Sequence, residues 1–335
     1  MEPEIFEVNI AEFTAIGNDI RNRNYDFLTH KFNDSSLDFI TNDANYFVKL
    51  YVSKLNNQAA RLAILKNLEE PEKGIIGWYE CDPSVLLSNA ILFAAETELK
   101  KLNCTEVIGP LNGNTWLAYR FKTSSIVPLI SSEPYQPIYY VDYWKDYGFK
   151  VLYTYFTEKA NISDFQPVNK ASKENLLRDY NLNLKAFPRE ISSDYFKKLY
   201  DLYHKSFESN PLFKPLNYEY YLTFSKQAKK QLDEEFSFVV EDENNSPIAV
   251  LLSYNGLSSI RDKVLIKTIA IHPSWQNKQL GSLLVEHTYQ KAKSQNIFEI
   301  YHLLMYASNL SSAKGKIMYD TTVHCTYELL QKQIS

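Results

Sequence analysis

The second half of the chain is organised by short apolar runs separated by polar turns. FSFVVED (236–242) and IAVLLSYNG (248–256) flank an ENNSP turn and predict a strand pair, with Asn and Pro as punctuation. KVLIKTIAI (263–271) predicts a third strand in a row. FEIYHLLMY (298–306) and TTVHCTYELL (321–330) predict two more, with an amphipathic helix opening near residue 280 between the third strand and the first of these. Upstream, NLLRDYNLNLKAF (175–187) reads as a strand. Ser192-Ser193-Asp194 then offers an N-cap, and Phe196, Leu199, Tyr200, Tyr203 and Phe207 recur at helical spacing.

The first half repeats the last unit in outline. ARLAIL (60–65) and GIIGWYEC (74–81) predict a strand pair, Asp82-Pro83 reads as an N-cap with a first-turn proline, and residues 85–103 are helical. Leu87, Ile91, Ala94, Ala95, Leu99 and Leu102 share one face of that helix, and TEVIG (105–109) is the strand after it. Strand, helix, strand thus occurs twice, about 190 residues apart, which fits a distant duplication. The polar stretch KANISDFQPVNKASKE (159–174) marks the boundary, so the expected domains are 1–160 and 175–335.

Composition narrows the class. A chain of 335 residues suggests two domains, and 45% hydrophobic content with 19 Phe and 25 Tyr supplies two cores without staples. Cys81, Cys104 and Cys325 are widely spaced and signal neither a disulfide framework nor a metal site, so no metal is expected. The N-terminus lacks the flank and apolar run of a signal peptide, and no stretch approaches the ~18 apolar residues of a membrane span, so a cytoplasmic protein is expected, with no membrane partner. A net charge of -4 argues against a nucleic-acid surface.

The candidate chemistry centres on AIHPSWQNKQLGSLLVEH (270–287), a strand, a loop and a helix start in a chain with only 9 Gly. The first turn of a helix leaves N–H groups unpaired and carries the positive end of its dipole, so it attracts anions. Gly281 there lets a diphosphate approach the backbone, and Lys278 adds a mobile positive charge. A tight turn without a ligand is the plainer alternative.

This stretch resembles the acyl-CoA signature of the GNAT N-acetyltransferase superfamily, Gln/Arg-x-x-Gly-x-Gly/Ala after a strand. Here it runs Gln276, Asn277, Lys278, Gln279, Leu280, Gly281, with Gln279 where the first glycine is usual; a side chain there resists positive φ and argues for a shifted loop. YASNLSSA (306–313) looks like the family's Asn-x-x-Ala region, with Asn309 near the pantetheine arm. IGPLNG (108–113) and EPYQPIYYVDYWKDYGFKVLYTY (133–155) are similar to segments of a two-domain group in this superfamily. The resemblance implies an α/β fold of two GNAT-like domains, each a mixed central β-sheet flanked by helices, the first divergent. The first-half counterpart of the phosphate loop, ECDPS (80–84), has two acids and no glycine, so one cofactor site, in the second domain, is expected.

It further implies acetyl-CoA or a related acyl-CoA as cofactor, bound by Ile269, Ala270, Ile271, Gln276, Asn277, Lys278, Gln279, Leu280, Gly281, Ser282 and Asn309, and attacked directly by an amine of a small molecule or peptide. His302, Glu299 and Tyr319 are the candidate proton-transfer residues, against a packed strand histidine and core tyrosines as the alternatives; strand alternation leaves open which of His302 and Glu299 points inward. His272 before Pro273 is read as structural. Tyr135, Tyr139 and Tyr140 could contact substrate or could lead into a packed helix. A non-catalytic CoA- or protein-binding module and an aminoacyl-tRNA-dependent transferase are the competing functions; oligomeric state is open.

Overall fold

A computed structural model describes residues 2–25, 34–124, 133–167, 170–256, 261–308 and 321–334. The chain divides into two compact units of mixed α/β structure. The described residues of the first come from 1–127, 134–155 and 325–335; those of the second come from 156–324 together with Glu133.

In the first unit, β1 (Glu4–Glu7), α1 (Ile10–Asn24) and α2 (Ser35–Thr41) precede a meander of β2 (Tyr46–Leu55), β3 (Gln58–Asn67) and β4 (Lys73–Cys81). Helix α3 (Val85–Lys101) crosses to β5 (Glu106–Gly109); β6 (Phe121–Lys122), α4 (Tyr139–Asp146) and β7 (Lys150–Asn161) follow. Strands β1 to β4 pair antiparallel in sequence order, and β5 pairs parallel with β4 from Lys73↔Glu106 to Ile75↔Ile108. β3 and β4 are buried on both faces, which is why they read as nearly continuous apolar runs. Leu87, Ile91, Ala95 and Leu99 of α3 pack on this sheet with Trp144 and Tyr140 of α4.

Two local expectations are corrected here. The N-cap of α3 is Ser84, whose hydroxyl accepts the Leu87 N–H, and Pro83 lies outside the helix. Asp82 is instead buried, accepting the Ala59 N–H at 2.7 Å and hydrogen bonds from Arg23 and Asn24. The nonlocal partners outcompete the cap.

The second unit contains α5 (Lys170–Asp179), β8 (Asn183–Ala186), α6 (Ser193–Phe207) and α7 (Tyr218–Lys229), then β9 (Phe238–Glu241), β10 (Pro247–Tyr254) and β11 (Lys263–Ile271). A 3₁₀ turn (Pro273–Trp275), α8 (Leu280–Ser294), β12 (Glu299–Tyr306) and β13 (Thr321–Gln333) complete the order. β8 to β11 pair antiparallel in sequence order, and β12 pairs parallel with β11. Residues 175–187, expected as one strand, divide into the end of α5 and β8, because Leu176 and Leu177 pack helically against the core. Ser192 caps α6 as expected.

The last residues of the chain depart from the domains drawn at 1–160 and 175–335. Residues 325–335 cluster with the first unit, since β13 pairs antiparallel with β5 from Leu330↔Gly109 to Gln333↔Glu106, and with β6 at Tyr327↔Lys122 and Glu328↔Phe121. Leu330 and Ile334 are members of the first unit's core. The division also falls within β7, ahead of the polar stretch 159–174.

Candidate functional site

The strand that leads into the glycine loop is interrupted once. β11 pairs with β10 from Ala249↔Ile271 to Tyr254↔Leu265, but the register shifts between Leu252 and Ser253, leaving Lys267 as an extra residue. The bulge reverses side-chain parity: Val264 and Ile266 belong to the core under α8, and beyond the bulge Ile269 and Ile271 pack against that same core.

β11 and β12 then part. Their parallel register runs from Lys263↔Glu299 to Ile266↔His302 and ends there, although β11 continues to Ile271 and β12 to Tyr306. β12 is locally broken at Leu304, whose φ is +57° and whose N–H donates to Thr157 Oγ at 3.3 Å. On β11, the His272 N–H donates to the Ile248 carbonyl at 2.9 Å, towards β10. With a period of two, the N–H groups of Ile269 and Ile271 point the other way, to the side that β12 has left.

The loop that follows leaves backbone donors open. His272 caps the 3₁₀ turn, its Nδ1 accepting the Ser274 N–H at 3.3 Å, in keeping with the structural role expected for it. Asn277 and Gln279 adopt left-handed conformations, with φ of 61° and 62°. Gln279 thus takes a left-handed backbone conformation that favours glycine, at a cost of about 1–2 kcal/mol. Gln279 is the N-cap of α8 and makes no side-chain cap hydrogen bond. Its carbonyl accepts the Leu283 N–H and the Ser282 hydroxyl, both at 2.9 Å. The N–H groups of Leu280, Gly281 and Ser282 meet no acceptor among the described residues. Open donors at a helix start, with the positive end of its dipole, are suited to an anion.

Gly281 answers a packing demand. Its φ is not positive, and a Cβ there would stand 3.1 Å from Ile271 Cδ1, so glycine lets the start of α8 lie close on β11. Gln276 reaches back to the Ile271 carbonyl from the loop, at 3.4 Å. Lys278 Nζ lies 4.4 Å from the Trp275 ring centroid and 5.3 Å from that of Tyr180. Asn175, Leu176, Asp179, Tyr180, Lys278 and Gln279 line an open groove of about 510 Å³ beside it.

His302 and Glu299 do not come together. His302 and Glu299 both lie in the paired segment and on opposite faces of β12. His302 is buried beneath α8, its Nε2 2.7 Å from the Tyr289 hydroxyl, and burial lowers its pKa to about 4, so it is a neutral packed histidine at pH 7. Glu299 is ion-paired with Lys159 at 2.5 Å and accepts from the Tyr301 hydroxyl at 3.3 Å. Asn309 and Tyr319 lie outside the described residues. Sequence reasoning missed Thr157 and Glu133: the Thr157 hydroxyl, beside the break in β12, donates to Glu133 at 2.7 Å, and both side chains are buried. No short motif marks them, because they meet through the fold.

Tyr135, Tyr139 and Tyr140, considered for substrate, belong to the first unit. The Tyr139 hydroxyl donates to the Cys81 carbonyl and the Tyr140 hydroxyl accepts the Cys81 N–H, each at 2.8 Å; Tyr140 has no exposed surface. Tyr135 stands 5.7 Å from Tyr25, ring to ring. Packing accounts for Tyr140, and the half-buried Tyr139 commits its hydroxyl to the chain.

The first unit repeats the scaffold and closes it. Pairing of β4 with β5 ends at Ile75↔Ile108 while β4 runs on to Cys81, but the Trp78 N–H is taken by Asn112 Oδ1 at 2.8 Å and the Cys81 N–H by Tyr140. The Leu111 N–H donates to the Ile76 carbonyl at 2.9 Å. Ser84 caps α3, and Asp82 occupies the turn before it. Two strand donors and one helix-start donor are thus satisfied here by the chain itself, through Asn112, Tyr140 and Ser84.

The uncapped helix start, after a strand that has parted from its parallel neighbour, lies within the segment that a family model matches. Residues 196–314 match the acetyltransferase (GNAT) family model. Among solved structures, the chain is similar to a tandem GNAT protein from the clavulanic acid biosynthesis pathway, with a TM-score of 0.59 and 10% identity over 100% of this chain and 99% of that one. It is also similar to a GCN5-related N-acetyltransferase from Anabaena variabilis (TM-score 0.57, 9% identity, 100% of this chain and 73% of that one). A third, from Sphaerobacter thermophilus, gives a TM-score of 0.51 at 12% identity, over 99% of this chain and 96% of that one. At such identities the likeness is one of fold, and it supports a two-domain GNAT architecture. No curated protein matches the chain in sequence. Among the described residues, no helix is long and apolar enough to cross a membrane.

Proposed function

We propose that the chain is an acyl-CoA-dependent N-acyltransferase whose second unit holds acetyl-CoA or a related acyl-CoA and transfers the acyl group to an amine of a small molecule or peptide. One observation carries this reading: β11 and β12 part after Ile266↔His302 directly beside the uncapped start of α8. The residues present fit the cofactor. The open N–H groups of Leu280, Gly281 and Ser282 suit a diphosphate, and no acidic residue stands in the loop from Gln276 to Ser282.

In this reading the α8 start binds the diphosphate, and Lys278 adds charge beside it. The outward N–H groups of Ile269 and Ile271 orient the pantetheine arm and polarise the acyl carbonyl. The cofactor would bring an acyl thioester, whose C–S bond breaks as the amine nitrogen bonds the carbonyl carbon, one amine proton ending on sulfur. The first unit takes no cofactor in this reading, because its own Asn112, Tyr140 and Ser84 occupy strand and helix-start donors there and two acids, Glu80 and Asp82, stand in the turn before α3. The free thiols of Cys81, Cys104 and Cys325 accord with the cytoplasm as its location.

The burial of His302 and the Glu299–Lys159 ion pair favour a second reading, a module that binds CoA without turnover. Two measurements separate them. A thermal-shift titration with acetyl-CoA and CoA reports binding by mass action, and release of free thiol with a panel of amines reports transfer. Binding with thiol release supports the enzyme, binding alone supports the module, and no shift at millimolar ligand sinks both.

A further inference from the structure

One wall of the groove beside Gln279 comes from outside the family-matched segment. α5 and Tyr180 precede residue 196, yet Tyr180 meets Trp275 of the loop with ring centroids 5.3 Å apart at 80°. Tyr180 is 51% exposed, an unusual position for a large aromatic side chain, whereas Trp275 is half-buried and packs one side on the core under α8. The Lys278 ammonium rests on both rings.

The geometry points to Tyr180 and Trp275 as a stacking shelf for the purine base of a nucleotide-bearing cofactor, with Lys278 as the cation that leaves the shelf for that cofactor's phosphate. This rests on the acyl-CoA reading above. An exposed ammonium–ring contact is worth a factor of about two to five in an equilibrium, while a stacked base is worth about five- to 150-fold. A base therefore displaces Lys278, which the diphosphate site at the α8 start receives. Charge fixes the orientation: Asp179 on the α5 wall repels phosphate but accepts from an exocyclic amine or a ribose hydroxyl, so the base goes to α5 and the phosphates to α8. Arg178 steadies that wall, its Nη2 donating to Asn175 Oδ1 at 2.7 Å and its Nε lying 3.5 Å from Asp179.

Calorimetric titration of the full chain with CoA, 4′-phosphopantetheine and adenosine 3′,5′-bisphosphate tests the shelf. Tyr180→Leu is the main variant because its side chain is exposed, and Trp275→Leu is the second. We expect Tyr180→Leu to weaken CoA and the bisphosphate at least about fivefold and to leave 4′-phosphopantetheine, which has no base, within about twofold. Undiminished CoA affinity, or equal losses for all three probes, overturns the shelf and leaves the acyl-CoA reading standing. A native chain that binds the bisphosphate but neither CoA nor 4′-phosphopantetheine keeps the shelf and removes the acyl-CoA reading. Failure of all three to bind removes both.

Discussion

Gly281 and Ile271 meet so closely that a Cβ on the glycine would stand 3.1 Å from the isoleucine's Cδ1. The contact ties the start of α8 to the end of β11, and so sets the open N–H groups of the helix against the strand edge. The obstacle to alanine is the tip of a flexible side chain, so Gly281→Ala is expected to change stability by less than about 1 kcal/mol, the helix propensity gained offsetting the tight contact. Gly281→Trp would fill the approach to the helix start. With acetyl-CoA as ligand, a thermal shift present in the native chain and in Gly281→Ala should be absent from a folded Gly281→Trp. A full shift in the tryptophan variant would move the diphosphate elsewhere.

Gln279 holds φ at 62° with no cap hydrogen bond from its side chain in return. Gln279→Gly removes the left-handed strain of about 1–2 kcal/mol, while the added freedom of glycine in the unfolded chain offsets up to about 1 kcal/mol of that. Chemical denaturation should therefore show the variant unchanged or more stable by up to about 1.5 kcal/mol, with ligand affinity retained. A clear loss of stability would mean that the glutamine side chain contributes contacts that outweigh the strain.

These two residues also show how far the sequence could be read. The strand, loop and helix around Gly281 were legible because their pattern is local: an apolar run, His-Pro, two residues tolerant of left-handed φ or forced into it, then helical spacing. The direction of His302 was not, because Ile300, Tyr301, His302 and Leu303 are all buried, so alternation along β12 offers no polar face to tell one side from the other. Asp82 failed as a predicted cap because the Ala59 N–H and Arg23, distant in sequence, compete for its carboxylate. The membership of residues 325–335 in the first unit depends on a pairing with β5 that spans more than two hundred positions, and nothing local announces it. Thr157 and Glu133 were missed for the same reason.

The buried network of the first unit should be sensitive to its arginine. Arg61 is 1% exposed, pairs with Asp34 at 2.7 Å and Glu80 at 2.8 Å, and donates to the Phe13 carbonyl at 2.9 Å. Arg61→Met leaves two carboxylates buried without that cation and should cost about 3–5 kcal/mol in unfolding free energy. Gly17 of α1 makes room for the same guanidinium, since a Cβ there would lie 2.0 Å from Arg61 Cζ. Gly17→Ala is thus expected to destabilise despite alanine's better helix propensity. A neutral or stabilising result in urea titration would show that the guanidinium can move aside at little cost.

The pair His302 and Tyr289 gives a pH signature. Burial lowers the His302 pKa from 6.5 to about 4, so between those values the unfolded chain binds a proton that the folded chain refuses. Stability from this site is complete above pH 6.5 and declines as pH falls towards 4, by about 3 kcal/mol over the window. His302→Phe removes the titration while keeping a ring of similar size beneath α8. It should also cost about 1–3 kcal/mol at pH 7 by leaving the Tyr289 hydroxyl without its imidazole partner. The difference in unfolding free energy between native and variant chains, measured from pH 7 to pH 4, cancels the other titrating groups. It should shrink with acidification as the native chain loses the stability that the phenylalanine never had. A difference independent of pH would mean that His302 accepts a proton as readily folded as unfolded, and would reopen it as a proton-transfer residue.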